Sequence, residues 1–240
     1  MSYVNELLRP IFNANIYTLK THGFDFKRIQ NQCIYNKFEA QVDTGNMMLK
    51  LLNKAYNNNV IVLNSTGLTS FTKQNDHVSV QANGIEFKVG HLFIATNAFA
   101  SQLFDLDVKP ARNQVIITKP IKDLDIKGTF HLDRGYYYFR NIDNRILLGG
   151  GRHLDLEQET TSEFGLTKKI QSYLDHLMRT AILPNQEFEI ETRWSGILGI
   201  GTVKEPIVKS VSERVHCGVR LGGMGVAIGS NIGRRLANLA

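Results

Sequence analysis

Cysteine, proline and tryptophan are scarce in this sequence. Among 240 residues there are two cysteines, five prolines and one tryptophan. Cys33 and Cys217 lie far apart, and neither belongs to a C-x-x-C pair or to a spacing typical of zinc ligands. We therefore expect no disulfide framework and no metal centre. With no excess of breaker residues, collagen-like, mucin-like and disordered chains are excluded.

The sequence also lacks long apolar runs and a strong charge bias. No stretch approaches the roughly 18 apolar residues of a membrane span, and the first residues have neither the basic nor the apolar part of a signal peptide. We therefore expect a cytoplasmic protein with no membrane partner. The net charge is +6, but the basic residues are scattered, so we expect no nucleic-acid partner either.

What remains is the composition of a globular chain. Hydrophobic residues make up 42% of it, and its length allows one large domain or two small ones. Apolar periodicity predicts helices at residues 3–19 (broken near Pro10), 47–55 (with Asp43 as N-cap), 98–104, 164–179 and 226–239. Predicted strands lie at residues 60–63, 68–72, 77–81, 85–89, 91–96, 114–118, 135–140, 145–149, 188–195 and 215–221, with a hairpin turn at Asn83 and Gly84.

Two kinds of strand pattern predict the fold class, which is α/β (α+β) with a large antiparallel component. Continuous apolar runs are typical of parallel strands that are buried on both faces. Residues 60–63, 91–96 and 215–221 are therefore expected to share one parallel sheet, with 91–96 at its centre. Alternating patterns predict a separate, mostly antiparallel sheet over residues 114–195.

The segment RLGGMGVAIG at residues 220–229 runs from a strand through glycines into a helix. Glycines let the backbone approach a ligand closely, and a helix N-terminus offers unpaired N–H groups to an oxygen or an anion. The sequence as given leaves no room after it for a second strand with an acidic residue, so we expect that it does not start a Rossmann unit. The alternative is a turn that only packs a helix on a sheet.

Aromatic and basic side chains gather in two further segments. Tyr136, Tyr137 and Tyr138 lie on one predicted strand, so Tyr136 and Tyr138 should share a side and can line a pocket. Cross-strand aromatic packing is the alternative. Trp194 follows Arg193, although a lone tryptophan is more often part of a core.

Taken in order, these segments resemble the FAD-dependent oxidoreductases of the D-amino-acid oxidase superfamily, which includes glycine oxidase and sarcosine oxidase. The resemblance covers residues 38–237. It rests on EAQVDTG at 39–45, IATNAFA at 94–100 (like the family's vvAtGaw), KPARNQV at 109–115, the tyrosine strand with RILLGGGR at 145–152, RWSG at 193–196 and the glycines of 221–229.

The resemblance implies the remainder of an FAD-binding, Rossmann-like parallel sheet interleaved with an antiparallel substrate domain. Residues 1–37 would be a helical lead-in on the substrate side, and residues 107–212 the substrate domain. Residues 38–106 and 213–240 would be parts of the FAD-binding domain.

The implied activity is oxidation of a carbon–nitrogen bond in a small amine or D-amino acid by hydride transfer to FAD. The implied cofactor-binding residues are Leu68, Ala95, Thr96, Asn97, Gly222, Gly223, Met224, Gly225 and Val226. The implied catalytic residues are Tyr136, Tyr138 and Arg193, and the implied substrate-binding residues are Arg112, Arg152 and Trp194. Four of these residues are expected to face one cavity that opens toward residues 222–225, namely Tyr136, Tyr138, Arg112 and Arg193.

Two departures from the family pattern leave alternatives open. Ile197 and Leu198 stand where glycine-oxidase-like members have an arginine for the substrate carboxylate, and Arg152 or Arg193 would have to replace it. The family's opening G-x-G-x-x-G unit does not occur before residue 38. We therefore expect a preceding segment or a second chain to supply that unit, and the 240 residues alone to hold FAD weakly and not to turn over. A non-catalytic binding domain and a chance match are the other hypotheses.

Overall fold

Four α-helices and thirteen strands form the fold, and the computed structural model describes all 240 residues. The α-helices are α1 (Ser2–Phe12), α2 (Thr44–Asn57), α3 (Lys168–Leu177) and α4 (Gly225–Ala237). The strands are β1 (Tyr17–Thr21), β2 (Gln32–Asn36), β3 (Leu68–Lys73), β4 (Val78–Ala82), β5 (Ile85–Val89), β6 (Leu92–Ile94), β7 (Lys109–Thr118), β8 (Thr129–Leu132), β9 (Tyr137–Ile142), β10 (Arg145–Gly150), β11 (Ile190–Ile200), β12 (Ile207–Ser212) and β13 (Val215–Val219). Short 3-10 helices lie at Asn97–Gln102, Asp133–Gly135 and Arg152–Asp155, and a π-helical turn, Met178–Ile182, extends α3.

The chain divides into two compact units, and each unit is discontinuous in sequence. The first consists of Met1–Val42, Asn113–Leu156 and Gly165–Ser195. The second consists of Asp43–Arg112, Glu157–Phe164 and Gly196–Ala240. Each unit is therefore assembled from segments that other parts of the chain separate.

The first unit is built on a five-stranded sheet in the order β11-β7-β10-β9-β8. The pairs β7–β10, β10–β9 and β9–β8 are antiparallel, which confirms the predicted antiparallel sheet. One face packs against α3, and the core between them includes Phe139, Ile146, Leu148, Ile170, Leu174 and Met178. A second, two-stranded sheet pairs β1 with β2.

The second unit contains two three-stranded sheets. In one, β6 pairs in parallel with β13, and β12 pairs with β13 from the other side. The other is the predicted meander β3-β4-β5. Asn83 (φ 50°) and Gly84 (φ 78°) join β4 to β5 in the left-handed conformations that a tight hairpin turn requires. The mixture of helices with parallel and antiparallel sheets confirms the predicted fold class.

Two predictions about the parallel sheet were wrong. Residues 60–63 form no strand, and Ile61 is 84% exposed, because no neighbouring strand pairs with this segment. β6 is three residues long and lies at the edge of its sheet rather than at the centre. Parallel β6 and β13 do share one sheet, as predicted.

Helix boundaries differ from prediction mainly at the first and third helices. The helix predicted over residues 3–19 ends at Phe12, because Asn13 takes a left-handed conformation (φ 48°), and a strand follows. α3 begins at Lys168 because the backbone of Thr167 is extended. Asp43 is the predicted N-cap of α2, with its carboxylate accepting the Asn46 N–H at 2.9 Å. No helix combines the length and the apolarity that crossing a bilayer requires.

Replacing a buried and an exposed phenylalanine by alanine should lower the stability of the protein by very different amounts. Phe139 is 1% exposed and Phe164 is 67% exposed. We expect Phe139→Ala to lower the free energy of unfolding by about 3–5 kcal/mol through lost burial and a residual cavity. Phe164→Ala should cost less than about 1 kcal/mol. Urea unfolding followed by circular dichroism measures both, and equal losses would contradict the placement of the core.

Candidate functional site

The carboxyl ends of β6 and β13 lie at the same edge of their sheet, because the two strands are parallel. Cys217 pairs with Ile94, which places the residues after each strand side by side. Ala95, Thr96 and Asn97 follow β6, and the glycines that lead into α4 follow β13. Ligands of open α/β sheets bind at such an edge. Leu68, the other predicted cofactor-binding residue, begins β3 and packs against both apolar clusters of this unit.

Residues 221–226, here called the glycine turn, join β13 to α4. Gly222 (φ 57°) and Gly223 (φ 83°) adopt left-handed conformations, and the space beside Gly222 is open. The Gly222 N–H donates to the Gly199 carbonyl at 2.9 Å. The N–H groups of Gly223, Gly225 and Val226 meet no acceptor in the chain, so they can bind an oxygen of a ligand at the N-terminus of α4.

A polar cluster of three residues supports the strand end just before the glycine turn. Arg220 (φ 63°) donates to an Asp107 carboxylate oxygen at 2.6 Å and to the Glu205 carbonyl at 2.7 Å. The same carboxylate accepts the hydroxyl and the N–H of Thr202, at 2.6 and 3.0 Å. The hydrogen bonds from Thr202, together with the charge of Arg220, hold the pKa of Asp107 below its usual value.

In the first unit, Tyr138 lies flat across the sheet. Its ring covers Gly149 on β10, where any side chain would clash with the tyrosine hydroxyl. The hydroxyl accepts a hydrogen bond from Asn113 on β7 at 3.2 Å. Burial raises the pKa of Tyr138, so this hydroxyl stays protonated at neutral pH. Sequence reasoning found Tyr138 but missed Asn113.

Arg193 lies on the opposite face of that sheet, toward α3. Its guanidinium binds both oxygens of Asp175 at 2.8 and 3.0 Å, and donates to Gln171 at 2.8 Å. Gln171 in turn donates to Gln114, a buried residue of β7. Because side chains alternate along a strand, Trp194 points away from α3, toward the face that holds Tyr138. Its side chain is 38% exposed.

Tyr136 does not belong to the strand that was predicted to carry it. β9 begins at Tyr137, so alternation along the strand does not place Tyr136 with Tyr138. The Tyr136 ring packs on His153 at a centroid distance of 4.1 Å, and half of the residue is exposed. Arg152, at the start of the adjacent 3-10 helix, is half-buried and has no hydrogen-bond partner in the chain.

Arg112 is held in a buried ion pair that the sequence did not reveal. It binds both carboxylate oxygens of Glu159 at 3.0 Å and donates to the carbonyls of Gln158 and Glu163. The hydrogen bond to Glu159 raises the pKa of Arg112 further. The guanidinium thereby ties β7 to residues 157–164 within the second unit.

The structure thus gathers part of the predicted site within each unit. Asn97 and the glycine turn lie together in the second unit, as do Arg112 and Glu159. Tyr136, Tyr138, Arg152, Arg193 and Trp194 belong to the first unit. Arg193 faces α3, so it does not share a face of the sheet with Tyr138, as the predicted cavity required. A common cavity for the remaining residues of the two groups stays a prediction.

Comparison with known proteins assigns the family. The sequence pattern of the family described as FAD dependent oxidoreductase, DAO, matches residues 15–239. The chain belongs to this family of FAD-dependent oxidoreductases. Its cofactor is therefore FAD, as the sequence predicted. No curated protein sequence matches the chain.

Solved structures of the same fold cover nearly the whole chain. Glycine oxidase from Geobacillus kaustophilus superposes with a TM-score of 0.80 at 16% identity, covering 99% of this chain and 66% of that one. Iminodiacetate oxidase from Chelativorans sp. BNC1 superposes with a TM-score of 0.79 at 17% identity, covering 99% of this chain and 67% of that one. L-proline dehydrogenase from P. horikoshii superposes with a TM-score of 0.72 at 19% identity, covering 87% of this chain and 58% of that one. The chain therefore spans roughly three fifths to two thirds of the length of these proteins.

The glycine turn fits part of an FAD molecule. Gly222 and Gly223 leave the backbone accessible, and the N–H groups of Gly223, Gly225 and Val226 lack acceptors. Oxygen atoms of FAD would be suitable acceptors for these N–H groups. FAD, when bound, supplies redox chemistry that protein side chains lack.

The buried pair of Arg112 and Glu159 predicts a strong effect on stability. Glu159 has 1% of its side-chain surface exposed, so Glu159→Gln leaves the guanidinium buried without its counter-charge. We expect a loss of about 3–5 kcal/mol in the free energy of unfolding. Glu191→Gln removes an exposed partner of Arg145 and should cost at most about 1 kcal/mol. Urea unfolding compares them, and a loss for Glu159→Gln as small as the control's would contradict a buried pair.

We expect Asp107 to contribute to the stability of the fold in a pH-dependent way. Because its pKa is lowered in the folded state, the ionised carboxylate stabilises the fold above the unfolded pKa of about 3.9. This contribution is lost as the pH falls through the folded pKa. The difference in stability between the wild type and Asp107→Asn should therefore be full at pH 7 and shrink below about pH 4. Urea unfolding from pH 7 to pH 3 tests this, and a constant difference would contradict it.

Proposed function

We propose that the chain carries the flavin-contacting and substrate-binding parts of an enzyme that oxidises a small amine or D-amino acid with FAD. The observation that carries the proposal is the glycine turn at the N-terminus of α4, with three unpaired N–H groups, in a chain of this family. Such donors favour negative charge, and they would stabilise FAD that has accepted electrons.

On the substrate side, we assign Tyr138 and Trp194 to the pocket, together with Asn113, which orients the tyrosine hydroxyl. A protonated hydroxyl can donate a hydrogen bond to a substrate oxygen. Tyr136 would contribute an exposed ring, which packs on His153. These groups would bind and orient the substrate, and bound FAD would supply the hydride acceptor.

Arg152 is the better candidate for a substrate carboxylate. The guanidinium groups of Arg112 and Arg193 are already paired with Glu159 and Asp175. Arg152 has no partner in the chain, so its donors are available to a carboxylate. Glycine oxidase, iminodiacetate oxidase and L-proline dehydrogenase are named for compounds that combine an amine with a carboxylate. We therefore favour an amino acid as the substrate, with Arg112 and Arg193 in supporting positions.

We further propose that a G-x-G-x-x-G unit from a preceding segment or a second chain grips the ADP half of FAD. Support comes from the surface of the second unit. Val60, Ile61 and Leu63 are exposed, α2 has no buried residue, and β6 is paired on one side only. Exposed apolar residues and an open strand edge are features that pair readily with further strands.

Titration with FAD tests the proposal. The 240-residue chain alone should bind FAD weakly, measured by quenching of flavin fluorescence, and should show no amine-dependent formation of peroxide. A protein that also contains the G-x-G-x-x-G unit should bind FAD stoichiometrically, and an amino acid should bleach its absorbance under anaerobic conditions. Failure of this longer protein to bind FAD would contradict the function. Stoichiometric FAD and turnover by the chain alone would contradict the need for the unit.

A pair of glycine variants locates the binding site in the same titration. Gly223→Ala places a side chain at φ 83°, a strained conformation, and we expect FAD affinity to fall at least about fivefold. Gly233→Ala lies within α4, where an added methyl group meets nothing within 4 Å, so it should leave the affinity unchanged. Equal affinities of the two variants would contradict a role of the glycine turn.

A further inference from the structure

Asn97 connects three segments of the second unit. It begins the 3-10 helix after β6 in a left-handed conformation, φ 49°, which asparagine tolerates better than most residues. Its side-chain oxygen accepts the Leu221 N–H at 3.0 Å. The carboxamide also fills the space beside Gly199, where a Cβ atom would lie 2.4 Å from that oxygen.

The contacts of Asn97 hold the glycine turn at its first residue. Leu221 stands between Arg220 and Gly222, which both have positive φ angles of about 60°. Such a sequence of left-handed residues persists only where surrounding contacts define it. The Gly199 carbonyl holds the next N–H of the turn, that of Gly222, and Gly199 is itself in contact with Asn97. Two consecutive N–H groups are thus fixed by one pair of neighbouring residues.

We propose that Asn97 is a positioning residue whose side chain sets the shape of the glycine turn for FAD. The proposal rests on the proposed function, in which this turn contacts the flavin. Asn97 acts through the Leu221 N–H, and the N–H groups of Gly223, Gly225 and Val226 stay without an acceptor in the chain.

A neutral side chain is part of this assignment. The Asn97 oxygen lies beside a turn whose N–H groups favour negative charge on the ligand. An aspartate there keeps the acceptor for Leu221 but adds a negative charge next to the flavin site. It should therefore weaken the binding of reduced FAD more than that of oxidised FAD.

Two variants of Asn97 separate shape from charge. Asn97→Ala should speed hydrogen exchange of the Leu221 N–H by about 3- to 10-fold and weaken FAD affinity by a similar factor, which is the scale of one lost hydrogen bond. Asn97→Asp should leave Leu221 exchange near the wild-type rate. In Asn97→Asp, the affinity for reduced FAD should fall about tenfold more than the affinity for oxidised FAD. The two-electron midpoint potential should therefore fall by about 30 mV.

Asn141 provides the matched control. Its side-chain oxygen accepts a backbone N–H, that of Gly128, at 2.9 Å in the first unit. Asn141→Ala should speed exchange at Gly128, and neither Asn141→Ala nor Asn141→Asp should change FAD affinity or midpoint potential. Affinity and potential are measured in the FAD-loaded protein that contains the G-x-G-x-x-G unit, and exchange in the 240-residue chain by NMR.

The outcomes separate this inference from the proposed function. Unchanged exchange at Leu221 in Asn97→Ala would overturn the inference, and so would faster exchange with unchanged FAD affinity. Equal losses of FAD affinity in Asn97→Ala and Asn141→Ala would also overturn it, because they would reflect general destabilisation. If the wild type binds no FAD, the proposed function fails, and the Leu221 exchange rate still decides whether Asn97 holds the turn.

Discussion

The parallel pairing of β6 with β13 is the constraint on which the candidate site depends. Only because the two strands run in the same direction do their carboxyl ends meet at one edge, although Asn97 and Leu221 are 124 residues apart. The register also keeps Ile94 and Cys217 in the core. A shift by one residue would turn these side chains outward. Packing of the core and placement of the glycine turn are therefore consequences of the same hydrogen-bond ladder.

Side chains alternate between the two faces of the antiparallel sheet in the first unit, and the two faces differ in function. Gln114, Tyr137 and Arg193 face α3, where they complete the core and its polar network. Their neighbours Asn113, Tyr138 and Trp194 point the other way. The strands therefore hold the unit together on one face and present hydrogen-bonding and aromatic groups on the other. This arrangement explains why adjacent residues of one motif, Arg193 and Trp194, receive different roles.

Sequence reasoning succeeded where a pattern is local and failed where a partner is distant. Alternation and turn residues predicted the meander and the Asn83 turn, and the glycines preceding α4 are visible as a run. The partners of Arg112 and Tyr138, namely Glu159 and Asn113, come from other segments and have no local pattern. Residues 60–63 were predicted as a strand from apolar content alone, but a strand requires a neighbour, and none pairs with them. Tyr136 was misplaced because a 3-10 helix ends just before it.

The central claim is that the glycine turn receives FAD through its unpaired N–H groups. NMR of the ¹⁵N-labelled chain titrated with FAD reports on each N–H directly. The account predicts that the amide resonances of Gly223, Gly225 and Val226 shift in proportion to bound FAD, while that of Phe139, in the core of the first unit, stays in place. Shifts confined to residues outside the glycine turn, with these three amides unmoved, would contradict it.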